Sequence, residues 1–65
     1  MIAARLDEEI RKVCPIFGVS VGQETDRTTW KFQPNSATLA QVAAGQAVID
    51  SFDPSYAADQ AWLQN

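Results

Sequence analysis

Two short runs separated by a polar loop govern what this chain can become: Phe17-Gly18-Val19-Ser20-Val21-Gly22, then Thr28-Thr29-Trp30-Lys31-Phe32. In both, apolar residues alternate with small or polar ones at a period of two, the pattern of a half-buried strand. Gln23-Glu24-Thr25-Asp26-Arg27 supplies polar turn residues between them. A loop centred between Glu24 and Thr25 sets Phe17 opposite Phe32, Val19 opposite Trp30 and Val21 opposite Thr28, all on one face. Cross-strand pairs of this kind contribute roughly 0.2 to 1 kcal/mol each, and a one-residue slip turns one strand's apolar set toward water.

Helical patterns flank the hairpin. Ile2, Leu6, Ile10 and Val13 recur at helical spacing, predicting a first helix from Ile2 to Cys14 that Pro15 closes. Pro34-Asn35-Ser36 breaks the second strand, and Thr38 with Gln41 has capping-box spacing, with Asn35 or Ser36 as alternative caps. A second helix then runs to about Phe52 with Leu39, Val42, Gly45, Ile49 and Phe52 on its face. Gly45 lies in mid-helix; either it admits a bulky neighbour, for which Trp30 is the candidate, or it is a tolerated glycine. Asp53 as N-cap with Pro54 at the first helical position suits a short third helix through Leu63, with an extended arm as the alternative. The expected fold is α+β: residues 1–53 form an α-β-β-α mini-domain, one antiparallel hairpin packed on two helices, and residues 54–65 form a tail.

Sixty-five residues make one small domain that buries only about 60% of its unfolded surface, which favours added stability from oligomerisation or a partner. The single cysteine, Cys14, forms no intrachain disulfide and points to folding in a reducing compartment. Asp7-Glu8-Glu9 interrupts any signal-peptide core, and no apolar run reaches membrane-spanning length, so a soluble, unprocessed chain is expected. A net charge of −3 opposes sequence-independent binding to phosphates, which argues against nucleic acid as a partner.

The chain is poor in chemistry. It has no histidine, so the commonest general base and the commonest transition-metal ligand are both missing. Cys14 sits at a predicted helix C-terminus beside a proline, where nothing stabilises a thiolate; a buried structural thiol is the expectation, with an interchain disulfide as the extracellular alternative. Asp7, Glu8 and Glu9 splay around the first helix as a solvated cluster. Glu24 and Asp26 fall short of the six to eight oxygens calcium takes. Asp50 and Asp53 end the second helix. No glycine-rich phosphate loop is present. No enzyme activity, cofactor or metal is expected.

Two surfaces remain for a partner. The first strand carries no charge and no internal proline, so its free edge, Phe17, Gly18, Val19, Ser20 and Val21, is open to strand addition by a second copy or another protein unless the first helix or the tail covers it. Tyr56, Trp62 and Leu63 form the second surface, since aromatic residues are favoured interface anchors. They fold back on the domain in the alternative reading.

Cys14-Pro15-Ile16-Phe17-Gly18-Val19-Ser20-Val21-Gly22, Asp26-Arg27-Thr28-Thr29-Trp30, and Ala37-Thr38 through Gln46-Ala47-Val48-Ile49-Asp50-Ser51-Phe52-Asp53 together resemble small tail-associated proteins of tailed phages and prophages, especially alphaproteobacterial ones. The likeness spans most of residues 2 to 53 and rests on core positions, so it carries over no functional residues. It implies a virion component near the tail, baseplate or fibres, in contact with other phage structural proteins or copies of itself, and present in the host cytoplasm during assembly. Two alternatives stand beside it: a tail-fibre assembly chaperone that does not stay in the virion, and a small acidic regulator that binds a host protein.

Overall fold

Ile2, Leu6 and Ile10, spaced by four, sink one face of helix α1 (Ile2–Arg11) into the core, where Leu6 and Ile10 lose all exposure. A computed structural model describes residues 2–63 of the chain, without the side chain of Tyr56. The helix ends three residues before the expected Cys14. Its last turn tightens as Val13 N–H donates to Ile10 O at 3.0 Å and Cys14 N–H donates to the same carbonyl at 2.9 Å. This rotates Val13 out to 40% exposure and brings Cys14 in to 1%. The residue before Pro15 is disfavoured in the α region, so the helix cannot carry Val13 on as the fourth core position.

Strands β1 (Ile16–Gln23) and β2 (Asp26–Pro34) form an antiparallel two-stranded sheet around a turn at Glu24-Thr25, where the sequence centred it. The register differs from the expected one. Val19 pairs with Phe32 and Val21 with Trp30, not Val19 with Trp30 and Val21 with Thr28. Next to the turn, three residues of β2 face the single residue Gly22, which shifts the ladder. Side chains hold this irregular stretch: Asp26 Oδ1 accepts from Thr28 N at 3.1 Å and Thr28 Oγ1 at 2.6 Å, and Gln23 N donates to Thr29 Oγ1 at 2.8 Å. Thr28 is left exposed.

A second irregularity lies at the start of β1. Ile16 pairs with Pro34 and Gly18 with Gln33, so Phe17 is an extra residue, a β-bulge. The bulge reverses the alternation before it. Ile16 becomes the core residue at 3% exposure, whereas Phe17, expected inside opposite Phe32, stands 65% exposed. Asn35 N–H donates to Pro15 O at 2.9 Å and fixes this end of the hairpin.

Helix α2 (Leu39–Ser51) begins with the predicted capping box: Thr38 Oγ1 accepts from Gln41 N at 3.1 Å, and Gln41 Oε1 accepts from Thr38 N at 2.8 Å. Asn35 and Ser36 do not cap it; Ser36 turns the chain with φ of 55°. Gly45, Ile49 and, just past the helix end, Phe52 are buried as expected. Leu39 is not. It is the first helical residue, and at 90% exposure it lies beyond the layer the helix covers.

Helix α3 (Tyr56–Leu63) replaces the extended arm among the alternatives for the tail. Its cap is Ser55 rather than Asp53: Ser55 Oγ accepts from Ala58 N at 3.1 Å and Ser55 O from Asp59 N at 3.1 Å. Asp53 acts one step earlier, accepting from Ser55 N at 2.9 Å. The order is thus α-β-β-α-α, an α+β fold. α1 packs on β1 and α2, α2 on β2, and α3 on α1, with the core between the helices and one face of the sheet.

Candidate functional site

A line of two rings with a cation at each end crosses the core. Arg5, only 7% exposed, donates from Nε to Asp59 Oδ1 at 2.8 Å and from Nη2 to Asp53 O at 2.6 Å. Its guanidinium lies 4.3 Å over the Phe52 ring, Phe52 meets Trp30 edge-on at 5.6 Å, and Arg27 lies 5.1 Å over Trp30. Arg27 then donates to Ile49 O at 2.6 Å and Asp50 O at 2.8 Å, satisfying the carbonyls that end α2. Trp30 Nε1 donates to Gln23 O at 2.9 Å. These groups satisfy one another, and no buried side-chain polar atom among the described residues lacks a partner. The line is structural. It ties α3 and the hairpin to the helix pair.

The groove beneath α3, about 400 Å³ and lined in part by Arg5, Glu9, Phe52 and Trp62, is open rather than enclosed. Its one cation is the already committed Arg5. Among the described residues no three His, Cys, Asp or Glu side chains gather as a metal site, and no helix is long and apolar enough to cross a membrane. Cys14 is buried, with Sγ 3.5 Å from Pro15 O. The acidic residues of α1 are taken up locally: Asp7 is ion-paired with Arg11, and Glu9 with Lys12 at 2.9 Å. The bond from Asp7 raises the pKa of Arg11, and the bond from Glu9 raises that of Lys12, so both stay charged.

The surface features that remain gather on the hairpin. β1 pairs with β2 on one side only, and no hydrogen bond from outside the hairpin reaches residues 18–22 among the described residues. Arg11 touches the edge at its start, donating from Nη2 to Phe17 O at 3.2 Å. Phe17, Gly18 and Ser20 share a shallow open groove of about 420 Å³ with Lys31 and Gln33. Gly18 opposes Gln33 and Ser20 opposes Lys31. Four of the five basic residues are engaged, Arg5, Arg11, Lys12 and Arg27; Lys31 has no hydrogen bond or ion pair among the described residues.

The residues expected to form an interface therefore divide. Phe17 and Ser20 are exposed and Gly18 half-buried, along the outward surface of β1. Val19 and Val21 are half-buried and pack inward on the core, so they contribute backbone to the edge and not side chains to a partner. On α3, Trp62 is half-buried and donates from Nε1 to Glu8 Oε2 at 2.7 Å, and Leu63 is 51% exposed. The Tyr56 side chain lies outside the described residues. Both surfaces reach α1, Trp62 at Glu8 and the Phe17 carbonyl at Arg11. Lys31 lies exposed on the strand face opposite Trp30 and Phe32, as the alternation of the second strand implies. Sequence reasoning missed Leu39 as a surface feature, and no signal existed, since it fits the apolar period of α2.

Comparison with protein-family models, curated proteins and solved structures finds no match.

Proposed function

We propose that this chain is a non-enzymatic structural or accessory protein of a phage tail, baseplate or fibre region that works through protein–protein contact at the β1 edge. The supporting observation is Phe17. A large aromatic ring held 65% exposed by a bulge, on a strand with one unpaired edge and no charge from Ile16 to Gln23, is arranged for strand addition. In a domain this small an exposed aromatic is lost from the core, and an interface recovers its burial. The resemblance to small tail-associated proteins supplies the setting.

The test is quantitative mass spectrometry of purified particles from the encoding phage, wild type and Phe17→Glu. The reading expects a fixed copy number per particle and a loss of incorporation in the variant, with the variant chain still folded by circular dichroism. A chain missing from particles, whether bound to unassembled fibre protein or to a host protein, overturns it.

A further inference from the structure

We infer that the occupant of the β1 edge is a second copy of this chain, paired antiparallel through β1 about a two-fold axis to make a four-stranded sheet. The inference rests on β1 being a docking edge and names what docks there.

Charge selects both the occupant and the direction. The first ionised side chain after β1 is Glu24, at its far end, and the cation at its near end is Arg11, which is paired with Asp7 and held at Phe17 O through Nε and Nη2 and has Nη1 left to donate among the described residues. A parallel second copy sets Glu24 beside Glu24. An antiparallel one sets Glu24 of each copy beside Arg11 of the other, and between these ends lies an uncharged strand with nothing to repel its own image. Each copy gives its β1 edge to the other in one self-complementary contact that closes at two copies, and the outer edges left are those of β2, which carries Lys31 and ends at Pro34.

The side-chain pattern gives the register. Residues directly opposite in a ladder share a face, so the axis passes through a residue, and Ser20 is mid-strand on the outward face. Pairing there sets Gly18 opposite Gly22, with the bulged Phe17 just beyond the regular part of the ladder. An added Cβ at Gly18 meets nothing within 4 Å, which leaves open space for a cross-strand neighbour beside the Phe17 ring. Inward, Val19 faces Val21, so the apolar row continues across the junction.

Ser20 provides the test, because it is exposed and its change leaves the core alone. Mass by light scattering is followed from micromolar to millimolar concentration for wild type, Ser20→Glu and Ser20→Lys, with circular dichroism as the folding control. Wild type is expected to rise from one chain's mass to two and stop there. Each variant, with like charges meeting at the axis, stays at one chain, and an equimolar mixture of the two returns to two. A wild type that stays single, a Ser20→Glu that doubles like wild type, or a mixture that does not reassociate overturns the inference. The outcomes separate from those of the tail proposal: a single-chain protein present at fixed copy number in particles fails here alone, and a dimer missing from particles fails there alone.

Discussion

The ring of Phe32 occupies the space where Gly45 would carry a side chain: an ideal Cβ there would stand 2.8 Å from Phe32 Cζ and 3.4 Å from Ile10 Cγ2. The mid-helix glycine is thus a point of close approach between α2 and the hairpin. The neighbour that requires it is Phe32, not Trp30. Trp30 instead packs on Phe52.

Gly45→Ala should therefore destabilise the protein, although alanine is the better helix former by about 1 kcal/mol. Overpacking of about 1–3 kcal/mol acts against that gain. Thermal unfolding should show a net fall in Tm of about 4–8 °C for each kcal/mol lost, as for other domains of this size. Adding Phe32→Leu, which shortens the neighbour, should recover part of the loss, and a double-mutant cycle reads the coupling.

Asp59→Ala removes the carboxylate from a guanidinium that is 9% exposed, and should cost about 1.5–3 kcal/mol, the range for a hydrogen bond to a charged group. Asp59→Asn keeps an acceptor and should cost less. Urea unfolding gives the stability, and amide exchange along α3 shows whether the loss is local to that helix. Exchange that quickens equally throughout the chain would show that α3 does not come away on its own.

Arg27→Ala removes the side-chain donor from the Asp50 carbonyl, leaves the Ile49 carbonyl with only the Phe52 N–H, and uncovers the Trp30 face, for an expected loss of about 1.5–3 kcal/mol. Arg27→Lys keeps the charge but not the flat guanidinium that lies over the Trp30 ring, and should fall between. Chemical unfolding followed by circular dichroism measures both.

Acid should loosen the turn before α3. The backbone bond from Ser55 lowers the pKa of Asp53, aided by the Ser55 side chain and the charge of Arg5. A folded value below the unfolded one makes the contribution complete above the unfolded aspartate value of about 3.9 and lost as the pH falls through the folded value. NMR titration should show the Ser55 amide following Asp53 in that window. In Asp53→Ala that response should be absent.

What the sequence carried depended on how local the cause was. The Thr38 and Gln41 cap is settled within one turn of chain, and the Ile2, Leu6 and Ile10 face within three, so both were legible. The turn at Glu24-Thr25 was legible too. Its register was not, because the shift comes from Asp26, Thr28 and Thr29 bonding among themselves rather than along the ladder. Phe17 fits the alternation of Val19 and Val21, and only the approach of Asn35 to Pro15 and the burial of Ile16 reveal that the pattern breaks before Gly18. The strand was therefore found in the right place, with its largest side chain expected on the wrong face. Arg5 and Arg27 act across 54 and 22 residues, distances at which spacing holds no signal.

The bond between Arg5 and Asp59 also orders events in time. Residues so far apart along the chain meet only after loop closure has been offset by the helix pair and hairpin that bring their ends together. The contact is expected to form after the folding transition state rather than within it. Loss of Asp59 should then leave the rate of folding almost unchanged and shorten the lifetime of the folded molecule, which stopped-flow folding and unfolding rates would show.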